Sequence, residues 1–232
     1  MLNPCSGEAV RLALKKIGRE TSARQQQARA LGWDEIKHFI ASAGEGLRAD
    51  RERAMLCVAY ETMARRSELV ALEVRDIELL PNGTGQALIR RGKTDAEGQG
   101  RVAYLSRETV RWLTVWLEHA KIEEGALFRR LVGSDKVGEV LNPGSIAPIF
   151  KRVAQWIGMP ERFVAEVSGH STRVGAAQDL AALDIDLAAI TQAGGWSTRM
   201  PLQYAERINA GRSGMARAAA VSGRDELDAD DG

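Results

Sequence analysis

His170-Ser171-Thr172-Arg173 sets an imidazole and a guanidinium three residues apart, a spacing that shares one face of a helix. Such a pair grips a phosphate: the Arg fork supplies two donors, and the His supplies a third or takes up a proton. Arg65 and Glu68 repeat the spacing, and a Glu there can hold the Arg in one rotamer. Arg66 is turned about 100° away from Arg65 on a helix. Lys93 lies in a polar, Gly-rich stretch, from which an ammonium can reach a nucleic-acid backbone and protonate a leaving oxygen. Tyr204 stands eight residues beyond Trp196, and a phenol acts as a covalent nucleophile where cations stabilise its developing charge. Taken singly, each has a plainer reading: a solvated helix face, a surface ion pair, an exposed loop lysine, a tyrosine at the edge of a core.

These side chains need elements to position them. Residues 8–21 read as a basic helix, and 22–30, with three consecutive Gln, as a polar linker. Asp34 is placed to cap a short helix over 35–43. Apolar residues at Met55, Val58, Met63, Leu69 and Leu72 predict one long helix over 51–72. Pro81-Asn82-Gly83-Thr84-Gly85 is a turn signal between β-like runs at 74–79 and 87–91. With a third run at 102–105, after the Gly-rich loop 92–100, these predict a three-stranded antiparallel meander. Beyond it the pattern is helical. Ser106 caps a helix through Ala120, with Val110, Leu113 and Leu117 on one face and Trp112 and Trp116 stacked. Further helices are expected over 145–157, closed by Gly158, then 169–183, 185–193, 197–208 and 215–221. The expected fold is mostly α with one small three-stranded antiparallel sheet (α+β).

Composition narrows the function. The chain has 232 residues, 44% hydrophobic and 27% charged, which suits one globular domain with appendages. Cys5 and Cys57 are far apart and outside any C-x-x-C pattern, against a disulfide framework or a structural zinc site. No signal-peptide pattern and no membrane-length apolar run is present, so a cytoplasmic setting is expected. The net charge of +1 conceals a basic body offset by an acidic tail at Asp225, Glu226, Asp228, Asp230 and Asp231, compatible with a polyanionic partner. Neither a P-loop nor a carboxylate trio for two-metal chemistry is visible, so no cofactor is expected.

The order of these motifs is more informative than any one of them. Arg65 to Glu68, then Lys93 between two strands, then Ser168-Gly-His170-Ser-Thr-Arg173-Val-Gly-Ala-Ala, then Gln192-Ala-Gly-Gly-Trp196, then Tyr204: this series resembles the tyrosine recombinase, or phage integrase, family over about residues 8–221. Most members carry a second His where this chain has Trp196, and in this respect it resembles the Cre recombinase type.

The resemblance implies a catalytic domain of the DNA breaking-rejoining fold. It implies that Arg65, Arg173 and His170 bind the scissile phosphate and that Glu68 supports them. Lys93 would protonate the departing 5′ oxygen, Trp196 would donate its indole N–H, and Tyr204 would form a 3′-phosphotyrosyl bond, without metal or ATP. Arg91, Arg101, Lys151, Arg152 and Arg199 are further candidates for contacts with DNA. The implied organisation is a last helix and linker of an otherwise missing core-binding domain over 1–30, a catalytic domain over 31–210, and an exchange helix with an acidic tail over 211–232. The implied partner is double-stranded DNA, with a tetramer on DNA and a monomer without it. The alternatives are a type IB topoisomerase-like relaxer or a catalytically impaired DNA-binding protein of the same fold. The spacing of Tyr204 from Trp196 is one residue shorter than usual for the family, with Pro201 in the shortened stretch.

Overall fold

The structure is a computed structural model, and it describes residues 27–90, 100–133 and 136–196. The expected helices over 8–21, 197–208 and 215–221 lie outside the described residues. The chain enters as an extended segment, with Arg29 N–H on the Glu166 carbonyl at 3.2 Å and Leu31 N–H on the Ser171 carbonyl at 3.0 Å. Arg29, read from the sequence as part of a polar linker over 22–30, is thus tied to the domain through its backbone.

Helix α1 (Trp33–Ser42) starts at Gly32, not at Asp34. The Glu35 carboxylate accepts the Gly32 N–H at 2.9 Å, while Asp34 pairs outward with Lys37 at 2.9 Å. Helix α2 (Leu47–Thr62) crosses the middle of the molecule. Its Ala54 to Ala59 run is fully buried, and Asp50, Arg51, Glu52 and Arg53 are buried with it. Buried charges persist only when paired or hydrogen-bonded. Arg53 donates to the carbonyls of Ile40, Ala43 and Gly44, closing the exit of α1, and its guanidinium lies 4.8 Å from the Trp112 ring centre. Asp50 meets both Arg53, at 3.2 Å, and His119, at 2.8 Å.

The single helix expected over 51–72 is two helices. Met63 takes the left-handed conformation (φ 47°) and ends α2, and α3 (Arg66–Ala71) begins after it. The apolar spacing runs through this break because both helices face one core.

A 3₁₀ turn (Val74–Asp76) leads into β1 (Ile77–Leu79), β2 (Gly85–Ile89) and β3 (Arg101–Leu105), an antiparallel sheet in the order β1-β2-β3. The expected meander is present, with its first strand starting later. Helix α4 (Arg107–Ala120) follows as expected. Ser106 caps it by accepting the Thr109 N–H at 3.3 Å. Trp112 and Trp116 have separate roles: Trp112 donates to Glu108 at 2.7 Å, and the buried Trp116 donates to the Leu127 carbonyl at 2.9 Å.

The region after α4 is not wholly helical. A second, two-stranded antiparallel sheet pairs β4 (Arg129–Val132) with β5 (Lys136–Val140). Arg51 ties it to α2 by donating to the Arg129 carbonyl at 3.2 Å. Then come α5 (Ile146–Trp156), a short α6 (Glu161–Glu166) that the sequence reading passed over, α7 (Ser171–Ala182) and α8 (Leu187–Ala193). Most apolar core residues form one cluster, with Leu56, Trp116, Phe128 and Phe150 among those that are fully buried. A smaller cluster of Met63, Ala176, Ala177, Ala181 and Ile190 sits where α2 ends against α7 and α8.

Candidate active site

The end of α2 organises the site. The last carbonyls of a helix have no partner within it and carry the negative end of its dipole. With Met63 left-handed, the chain turns away and leaves the Thr62 and Met63 carbonyls open to donors. Two arginines from distant parts of the sequence take them: Arg101, from the start of β3, donates to Thr62, and Arg173, from the first turn of α7, donates to Met63. Arg173 also donates to the Gly194 carbonyl at 2.6 Å, and its guanidinium lies 4.3 Å from the Trp196 ring centre. Arg173 is only 2% exposed. Carbonyl dipoles and an aromatic face thus receive a charge that burial alone would expel.

Arg65 is two residues past Met63. It is the residue before α3, not a position inside a long helix. Glu68 accepts both its backbone N–H, at 2.9 Å, and its guanidinium, at 2.6 Å. The carboxylate therefore caps the helix and aims the Arg side chain at once. Glu68 is buried while the Arg65 side chain keeps 21% exposure, so the cation faces outward from a fixed base.

His170 is the residue before α7, not part of its body, and its carbonyl accepts the Val174 N–H at 2.9 Å. The turn leading to it is held by the Ser171 hydroxyl, which accepts the Ser168 N–H at 2.9 Å. The His170 ring is open to solvent on one side and crowded by protein on the other. That crowding, then the positive fields of Arg173, Arg66 and Arg65, lowers its pKa below the ordinary 6.5, with Glu68 opposing. Arg66, which the sequence reading placed on another face, thus belongs to the same electrostatic neighbourhood. The site gathers several guanidiniums and one imidazole near a single carboxylate.

Trp196 follows the Gly194-Gly195 turn, and its backbone N–H bonds the Thr191 carbonyl at 3.0 Å. A Cβ on Gly194 would lie 2.2 Å from the Trp196 ring, so only glycine lets the indole pack here. Gly175 has a similar duty: a Cβ there would lie 2.2 Å from the Leu31 carbonyl oxygen, where the entering segment crosses α7.

Arg65, Glu68, His170, Arg173, Trp196 and Arg101 are therefore brought to one place. Lys93, Tyr204, Arg91 and Arg199 lie outside the described residues. Lys151 and Arg152 are on α5 and are engaged elsewhere, Lys151 with the Ala165 carbonyl at 3.0 Å and Arg152 with the Glu52 carboxylate. The sequence reading did not find the carbonyls of Thr62, Met63 and Gly194, because backbone oxygens leave no mark in residue type.

The two described tyrosines have other surroundings. Tyr60 donates to Asp179 at 2.8 Å, and burial followed by that carboxylate pushes its pKa far up. Tyr104 stands 61% exposed on the outer face of the sheet. Among the described residues no group of three or more His, Cys, Asp or Glu is placed to hold a metal ion, and no described helix is long and apolar enough to cross a membrane.

Several known proteins resemble this chain in sequence or in fold. The chain is 26% identical to the recombinase Cre of Escherichia phage P1, over 92% of this chain and 67% of that protein. It is 29% identical to an integrase/recombinase XerD homolog of Selenomonas ruminantium, over 89% of this chain and 62% of the relative. Among solved structures, the XerH site-specific recombinase bound to a palindromic difH substrate matches with a TM-score of 0.63 at 20% identity, covering 84% of this chain and 56% of that one. A lambda integrase dimer bound to a COC′ core site matches with a TM-score of 0.56 at 18% identity, covering 85% and 69%. The chain thus spans roughly 56–69% of the length of these proteins, and the structural matches establish the fold of a tyrosine recombinase catalytic domain. The family model described as the phage integrase family matches residues 29–206, well over half of the sequence, and the chain belongs to that family.

Proposed function

We propose that this chain cleaves and rejoins double-stranded DNA at specific sites through a 3′-phosphotyrosyl intermediate on Tyr204, without metal or ATP. The observation that carries this reading is the convergence of Arg173, Arg65 and His170 at the end of α2. There two guanidiniums and an imidazole lie within one another's electrostatic reach, with the buried Glu68 carboxylate holding Arg65.

A phosphodiester under attack gathers negative charge on its equatorial oxygens. Donors already in place stabilise that charge without reorganising, each by on the order of a few kcal/mol. In this reading Arg65 and Arg173 hold the non-bridging oxygens, and His170, neutral in the free site, hydrogen-bonds the phosphate. Trp196 presents its indole N–H, Lys93 protonates the 5′ oxygen, and Tyr204 supplies the attacking phenol. The phosphotyrosyl bond keeps the energy of the broken phosphodiester, and reversal of the step rejoins the strand. Synapsis as a tetramer on DNA, from a monomer in solution, and association with the nucleoid belong to the same proposal. The relatives named as site-specific recombinases support it.

The test is a suicide DNA substrate incubated with the chain and resolved on a denaturing gel. The expected result is a covalent protein–DNA band that is absent in Tyr204→Phe. No band from the wild-type chain, or a band that survives Tyr204→Phe, overturns the assignment. Relaxation of supercoiled DNA without recombinant product would instead identify a topoisomerase-like relaxer.

A further inference from the structure

Arg101, which the sequence offers only as a candidate contact with DNA, also lies at the site. It is partly buried at the first position of β3. Its guanidinium is anchored on the Thr62 carbonyl, the unpaired end of α2. Its stem crosses the turn before Trp196 so closely that a Cβ on Gly195 would lie 2.9 Å from Nε and 3.0 Å from Cδ. Gly195 itself is left-handed, at φ 57°. Glu68 and Arg65 both act on the charge of Arg101, in opposite directions, so it also lies in the field of the Arg65–Glu68 pair. One side chain therefore touches the end of α2 and the Gly194-Gly195 turn. Arg173 touches the same two segments one residue away on each, at the carbonyls of Met63 and Gly194. Each of the two side chains thus spans from the end of α2 to the turn. Arg173 lies against Trp196, and Arg101 stands at the edge of the sheet.

We propose that Arg101 is a positioning residue for the strand-cleavage reaction, holding the Gly194-Gly195-Trp196 turn against the end of α2 so that Arg173 and Trp196 keep the geometry the phosphate requires. This rests on the proposed function, and it reassigns Arg101 from contact with DNA to support of the site. A strut of this kind acts on the rate of the chemical step rather than on affinity. Displacements of about 1 Å in reacting groups cost on the order of 100-fold in rate, while phosphate contacts elsewhere sustain binding.

The experiment compares Arg101→Met and Arg101→Lys with the wild-type chain, since both variants retain a long stem against Gly195. Single-turnover formation of the covalent complex on the suicide substrate gives the rate, and titration of the same DNA gives Kd. The expected outcome is a rate reduced on the order of 10- to 100-fold in Arg101→Met, with Kd within about threefold and partial recovery in Arg101→Lys, whose ammonium still reaches a carbonyl. A cycle with Gly195→Ala supplies a readout independent of cleavage. The Tm loss from Gly195→Ala should be smaller in an Arg101→Ala background, where the close contact no longer exists.

A wild-type rate in Arg101→Met overturns the inference and leaves the proposed function standing. So does a loss confined to Kd, which would return Arg101 to DNA contact, and so does a Lys variant no better than Met. A wild-type chain that forms no covalent complex overturns the proposed function, and the catalytic role of Arg101 falls with it, whatever the thermal cycle shows.

Discussion

His170 carries a directional consequence of the site's charge. Partial burial and three neighbouring guanidiniums hold its pKa below 6.5, so at neutral pH the free site presents a neutral imidazole. A phosphate entering among the arginines adds negative charge and favours the imidazolium, so DNA should move this titration upward. The check is the ring C–H resonance of His170 in NMR, assigned by its disappearance in His170→Gln. It should titrate below 6.5 in the free chain and at higher pH when DNA is bound; a free-state pKa above 6.5 would contradict the site as described. Stability follows the same sign. The unfolded chain takes up this proton more readily than the folded one, so acidification through 6.5 toward the lower native pKa removes stability. His170→Gln should remove that part of the acid loss.

Among the elements, α4 and the break after α2 behave oppositely. Helix α4 was legible in the sequence because its signals are local, a Ser cap and an apolar face; in the structure it stops at Lys121. That stop is left-handed, at φ 53°, on an exposed residue. A side chain in this conformation costs about 1 kcal/mol relative to glycine. Lys121→Gly should therefore raise Tm by about 2–4 °C, as read by calorimetry, and an unchanged or lower Tm would show that the Lys side chain has another role. The break at Met63 has no such signal. Met is a good helix former, and the apolar spacing continues through it. The turn is set by the burial of Met63 against Ala176 and Ala177 and by the arginines on the last carbonyls, all supplied by residues far along the chain. The β4–β5 hairpin was hidden for a related reason. Its strands are half exposed, and their pairing is irregular between Arg129 and Leu131, so the alternation that marks a strand is weak.

For the whole molecule, the guanidiniums gathered at the site lead to one expectation. In the proposed function the arginines contact phosphates, and such contacts displace counterions. The chain's affinity should fall by on the order of 10³-fold or more between about 50 and 200 mM salt, as measured by fluorescence anisotropy on duplex DNA. Tight binding that ignores salt would mean that contacts other than those to phosphate dominate.

What the sequence alone determined was the chemistry: the types, order and spacing of Arg65, Glu68, His170, Arg173 and Trp196 point to phosphoryl transfer and to the family. The mostly α fold with a three-stranded meander was also legible, since caps, turns and periodicities act over a few residues. Only the tertiary structure decided that Arg65 and His170 precede their helices instead of lying within them, and that Arg173 and Arg101 share the carbonyl end of α2. It also decided that Arg152 is committed to Glu52. The arginine contacts among these depend on a backbone oxygen or buried carboxylate being met by a side chain 39 to 110 residues away. A short window of sequence carries no record of such a meeting, because the chain must fold before the partner arrives.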